Sequence, residues 1–78
     1  MDRESVKRKI QELIEESKGI VVGEEELLLE EEIIDSVSIL YIISEVEECY
    51  NIRIELEYVT EEHFKNVKSI ADYVLSEM

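Results

Sequence analysis

Apolar residues recur at helical spacing in three separate stretches of this sequence, and almost nothing interrupts them. Over residues 3–17 the repeat is Val6, Ile10, Leu13 and Ile14, which makes one stripe along an amphipathic helix. Asp2 or Ser5 is placed to cap its start and Gly19 to end it. Over residues 36–50, Ile39, Ile43, Val46 and Tyr50 fall within about 60° of one another, with Ile42 flanking them. Val37, Leu40, Tyr41, Ser44 and Glu48 form a neighbouring face, and Ser38 and Glu45 lie beyond it. Val67, Ile70, Ala71, Val74 and Leu75 mark a last helix of about ten residues. The chain has no proline and two glycines, so the punctuation of a many-turned β architecture is missing.

The stretches between these helices are less regular. Residues 19–35 run Ile20-Val21-Val22, then blocks of three glutamates, three leucines and three glutamates, then Ile33-Ile34. Blocks of three fit neither period, so the expectation is a long loop with at most one helical turn. Leu27, Leu29 and either Ile33 or Ile34 are expected to pin it. A loop this long in a compact domain often has a job. Ile52, Ile54 and Leu56 alternate with Arg53, Glu55 and Glu57, which predicts an extended connector turning its apolar residues inward. Thr60 is expected to cap a short helix near residues 60–65 with Phe64 inside. The predicted fold is all-α: one domain over residues 1–78, a four-helix bundle of three main helices and one short one, with a long loop between the first two.

Charge narrows the possible partners. Hydrophobic residues make up 45% of the 78, too many for a disordered acidic tail. The net charge is −13, and all of it lies in residues 19–78, because residues 1–18 hold five bases and five acids. Such a surface repels nucleic-acid phosphates and anionic membranes and attracts basic protein surfaces. It also repels itself, so added salt or divalent cations are expected to raise the melting temperature. A monomer is the expected state.

The usual catalytic constellations are missing. The sequence has no Gly-rich phosphate loop, no Gly-x-Ser-x-Gly and no His-Glu-x-x-His. The acids of 24–35 lack the ligand alternation and central glycine of a calcium loop. His63 is the single histidine and reads as a surface or half-buried side chain. Cys49 is the single cysteine; it excludes an intrachain disulfide and reads as a packed small hydrophobe. No apolar run approaches the length of a membrane span, and the start does not read as a signal peptide. The expectation is a cytoplasmic protein that is not an enzyme, inserts into no membrane and holds no metal.

One spot remains, Asp35-Ser36-Val37, where the long loop meets the strongest helix. Asp and Ser are common at helix starts, where either satisfies an orphan N–H, so one reading is a cap. The other is a modification site: a hydroxyl reached by a loop, at a helix N-terminus that accommodates added negative charge.

The surrounding residues bear on that choice. Glu32-Ile33-Ile34-Asp35-Ser36-Val37-Ser38-Ile39-Leu40, then Glu45 to Ile54 with its Ile-x-Ile, then Glu62 to Val74 with its Phe-Lys-x-Val, resemble the acyl carrier proteins over about residues 27–75. The family's attachment motif is Asp-Ser-Leu, and Asp35-Ser36-Val37 differs from it by one conservative change. The resemblance implies that Ser36 receives a 4′-phosphopantetheine arm from coenzyme A, attached by a phosphopantetheinyl transferase, with Asp35 as the motif acid. The arm's thiol would hold acyl or aminoacyl intermediates as thioesters. Acyl-loading and acyl-processing enzymes with basic docking surfaces would meet Val37, Leu40, Tyr41, Ser44, Glu47 and Glu48.

Departures from the family pattern point to a specialised lipid, polyketide or natural-product pathway. Carriers of fatty acid synthesis usually have acids where this chain has Ser38 and Tyr41, so its docking face is more apolar and Tyr41 is the residue for cognate enzymes to read. Glu55 stands where many relatives have proline. The competing reading is an acidic helical protein-interaction module with no prosthetic group, which needs no hydroxyl at residue 36. A mimic of nucleic acid is weaker, because the acids cluster in a loop rather than at phosphate-like spacing.

Overall fold

The structure, a computed structural model, describes residues 2–78. Helix α1 spans Arg3–Lys18, α2 Ser36–Tyr50, α3 Glu61–Phe64 and α4 Val67–Ser76, with a 3-10 turn at Leu56–Tyr58. No strand occurs among the described residues. This is the predicted small helical bundle with one short helix and a long first loop. Its radius of gyration is 11.0 Å, against about 11.5 Å for a compact unit of this length.

Each helix starts on a side chain that satisfies one of its orphan N–H groups. Asp2 accepts from the Ser5 N–H, Asp35 from Ser38, Thr60 from His63 and Asn66 from Ser69. Two helices end on left-handed residues, Gly19 (φ 70°) after α1 and Asn51 (φ 54°) after α2. Glycine has no Cβ to strain there, and asparagine is the side chain that tolerates it best.

Helix α1 packs against both α2 and α4, and α3 packs against α4. Val6, Ile10, Leu13 and Ile14 are buried as their spacing predicts, and so are Phe64, Val67, Ile70, Ala71 and Val74. Tyr73 joins them, with its ring 5.0 Å from His63 and 5.8 Å from Tyr58 by centroid. Its hydroxyl is buried without a well-formed hydrogen bond among the described residues, and burial pushes the phenol above its ordinary pKa against a smaller pull from the Glu55 backbone. Next to Tyr73, Asp72 receives two N–H donors from Arg3, at 2.7 and 3.3 Å, joining α4 to the start of α1.

Four expectations are corrected. The buried row of α2 is Ser38, Ile42 and Val46 with Ile43 beside it, while Ile39 and Tyr50 are only half-buried. A polar Ser38 inside the row conceals it from a hydrophobicity pattern. Cys49 is exposed, because the last turn of α2 leaves it uncovered. Leu56 is exposed too, because the chain leaves its extended path after Ile54 and enters the 3-10 turn. In the first loop, the central leucine is the anchor: Leu28 is 0% exposed, Leu27 is 38% exposed and Leu29 is half-buried. Val22, Ile33 and Ile34 are all buried alongside it.

Backbone hydrogen bonds explain that choice of leucine. The Leu28 N–H donates to the Lys65 carbonyl at 2.8 Å, and its own carbonyl accepts from Ile33 (2.8 Å) and Ile34 (3.2 Å). The turn closes through Glu32, which is left-handed (φ 55°). Earlier in the loop, the Glu24 carbonyl accepts from the Lys68 N–H at 3.1 Å. The Glu24 carboxylate faces the Lys7 ammonium at 3.2 Å, and Glu4 faces it at 2.8 Å. Lys7 is buried between them, and the Glu4 bond is the main reason its pKa is raised. The loop is therefore tied to α1 and to the segment joining α3 and α4, and it delivers Asp35 to a fixed place at the start of α2.

Candidate functional site

Ser36 is the first residue of α2 and is exposed. Asp35, before it, is extended (φ −127°, ψ −175°) and caps the helix. Asp35 Oδ1 accepts from the Ser38 N–H at 2.9 Å and from the Ser38 hydroxyl at 3.1 Å. Asp35 Oδ2 lies 3.3 Å from Lys18 Nζ at the end of α1. These contacts, the Ser38 N–H foremost, lower the Asp35 pKa to about 2. So weak a base has no proton affinity to spare for the neighbouring hydroxyl near neutrality. Its role is a strut: it fixes the first turn of α2 and leaves Ser36 outside the capping network.

Four of the six residues expected to face partners lie open along α2. Val37 is 74% exposed and Leu40 58% exposed, and Ser44 is exposed. Glu48 is exposed one turn further on. The other two are engaged. Tyr41 is half-buried, and its hydroxyl donates to Glu16 Oε1 of α1 at 3.4 Å. Burial first, then the carboxylates of Glu16 and Glu45, raise its pKa. Glu47 is half-buried and turns its carboxylate onto the connector, where Oε2 accepts from the Ile54 N–H at 2.8 Å. Val37 and Leu40 thus present apolar surface beside Ser36, with Glu48 as an exposed acid on the same helix.

Sequence reasoning missed two members of this site. Ser38 is 4% exposed and belongs to the cap, not to a face beyond the docking patch. Its position three residues after the cap was a usable signal, because that is where reciprocal capping partners stand. Lys18 gave no such signal, since it reaches Asp35 across the whole first loop.

His63 is half-buried beside Tyr58 and Tyr73, with Nδ1 3.0 Å from the Thr60 hydroxyl. Among the described residues, no group of three or more His, Cys, Asp or Glu side chains is arranged to hold a metal ion. No described helix is long and apolar enough to cross a membrane. No protein-family model matches the chain, and no curated protein matches it.

Ser36 could hold a covalently attached phosphodiester. The acceptor is a primary hydroxyl that makes no hydrogen bond to a side chain, and it stands at a helix start with no acid in the first turn. A phosphodiester there would meet the positive end of the helix dipole, beside the ionised carboxylate of the Asp35 cap.

Proposed function

We propose that this chain is a carrier protein: Ser36 bears a 4′-phosphopantetheine arm, and the protein presents acyl or aminoacyl groups to partner enzymes. The observation that carries the reading is the position of Ser36, exposed at the first residue of α2 beside a cap that leaves its hydroxyl free. In the loading step, Ser36 Oγ bonds to the phosphorus of coenzyme A that bears pantetheine, and the pyrophosphate P–O bond breaks. Adenosine 3′,5′-bisphosphate leaves, and the hydroxyl proton passes to a base of the phosphopantetheinyl transferase. Once attached, the arm supplies a thiol that holds its cargo as a thioester. The chain's own residues position and present. Asp35 and Ser38 set the first turn of α2, while Val37, Leu40, Ser44 and Glu48 offer an apolar and acidic strip to a basic partner. Tethering raises the effective concentration of the cargo at each partner that docks.

The departures at Ser38 and Tyr41 fit a carrier dedicated to a specialised pathway. Ser38 is committed to the cap and Tyr41 leans on Glu16, so this face lacks two acids that carriers of fatty acid synthesis usually show.

The test is an intact mass after incubation with coenzyme A, Mg²⁺ and a promiscuous phosphopantetheinyl transferase, with Ser36→Ala alongside. One added phosphopantetheine on the wild type alone is expected. A folded wild type that gains nothing leaves an acidic interaction module, with Ser36 reduced to part of a helix start.

A further inference from the structure

A cleft of about 290 Å3 lies between the end of α1 and the start of α2, lined by Lys18, Asp35, Val37 and Tyr41 among others. Ser36 stands between two of these residues in the chain but is not itself part of the lining. Lys18 is the one cation in the lining. The rest of its charged wall is acidic, Glu16 and Asp35.

The Lys18–Asp35 contact has the character of an exchangeable pair. It is a single 3.3 Å contact, with the lysine side chain 30% exposed and the aspartate 60% exposed. Such pairs contribute little to stability and rearrange readily. Asp35 does not depend on it for its position, because the other carboxylate oxygen holds two donors from Ser38. Lys18 is therefore free to turn toward a second anion without undoing the cap.

A phosphodiester on Ser36 would be that second anion. It would add negative charge one residue from an ionised aspartate, in a chain that already carries −13. We infer that Lys18 is an arm-positioning residue: on the loaded protein its ammonium bridges Asp35 and the Ser36 phosphodiester, and so ties the root of the arm to the end of α1. This inference rests on the reading of Ser36 as the attachment site. It gives α1 a part in the function, since the end of that helix decides the side of α2 from which the arm departs.

The experiment begins with the loaded protein, verified by intact mass, so that failure of attachment is seen separately from failure of the inference. The phosphorus NMR resonance of the loaded wild type is then compared with those of loaded Lys18→Met, Lys18→Arg and Lys9→Met. The Lys18 side-chain signals are followed from unloaded to loaded protein. The expected result is a phosphorus shift in Lys18→Met, none in Lys9→Met, and a resonance near the wild-type position in Lys18→Arg. Loading is also expected to move the Lys18 signals and not those of Lys9. A correctly loaded protein whose phosphorus resonance ignores Lys18→Met, or whose Lys18 signals stay in place, overturns the inference. A wild type that does not load overturns the attachment reading and this inference with it.

Discussion

The Leu28 N–H donates to the Lys65 carbonyl at 2.8 Å, joining the middle of the first loop to the segment between α3 and α4. That bond selects which of three consecutive leucines enters the core. Leu28 is fully buried, and Leu27 faces outward. Truncating a buried leucine costs about 2–5 kcal/mol, comparable to the whole stability of a domain this small, about 3–5 kcal/mol. Leu28→Ala is therefore expected to lose most of its cooperative urea transition. Leu27→Ala is expected to shift stability by less than about 0.5 kcal/mol. Equal losses in the two variants would show that the loop has no single anchor.

Glu32 closes the same loop at φ 55°. A non-glycine residue in that region stores about 1–3 kcal/mol of strain, while glycine adds about 0.4–1 kcal/mol of unfolded-state entropy. The difference favours Glu32→Gly, with an expected gain near 1 kcal/mol in urea unfolding. The Glu32 N–H bond to the Leu29 carbonyl survives the change. A loss of stability instead would mean that the Glu32 side chain supports the turn.

The buried Tyr73 hydroxyl has no well-formed hydrogen bond among the described residues. An unsatisfied buried hydroxyl is destabilising, and removing it with the ring kept is close to neutral or favourable. Tyr73→Phe is expected to leave the midpoint unchanged or raise it, since the ring contacts with Tyr58 and His63 persist. A loss above about 1 kcal/mol would indicate a hydrogen bond that this packing does not provide.

Much of this architecture was legible in the sequence, and what was not has a common cause. The stripe of α1, the span of α2, the Thr60 cap, inward Phe64 and the last helix all follow from local chemistry. Spacing and capping residues act within one or two turns, so they are written in the adjacent residues. Leu28, Ser38 and Lys18 were missed because their partners lie elsewhere or are concealed. Three identical leucines offer no pattern to choose among them, and the choice is made by the Lys65 carbonyl. Ser38 is polar and reads as outward, yet Asp35 draws it in. At the candidate site, the Asp35-Ser36 junction was readable as a helix start, while the cleft beside it depends on where α1 ends relative to α2.

Asp35 predicts a defined acid response. Its folded pKa is about 2, below the ordinary 3.8, so the fold favours the carboxylate. The stabilisation is fully present above about pH 4 and is lost as pH falls from there through about 2. Asp35→Asn keeps a good cap but cannot titrate. The stability difference between wild type and Asp35→Asn, measured by urea unfolding at pH 5.5 and pH 2, is expected to shift against the wild type at the lower pH. Because the other carboxylates are shared by both proteins, their titration largely cancels. A difference that stays constant would mean that Asp35 titrates normally.

The exposed strip of α2 predicts how partners respond to its residues. Val37 and Leu40 carry the apolar exposure nearest Ser36, and a partner that covers them gains by burying them at the centre of its contact. Leu40→Glu is expected to lower kcat/KM for phosphopantetheinyl transfer about tenfold or more, corresponding to about 1.4 kcal/mol. Ser44→Ala is expected to change it little. Glu48→Gln is expected to act on the association rate and its salt dependence, as rim charges do. Tyr41→Glu separates direct reading from support. Its hydroxyl is already engaged with Glu16, so the added charge would face Glu16 and Glu45 as well as any partner. A loss of transfer in Tyr41→Glu without a loss of stability indicates that partners read this residue. Parallel losses indicate that Tyr41 serves the α1–α2 packing, and unchanged transfer in Leu40→Glu would remove this strip of α2 as the docking face.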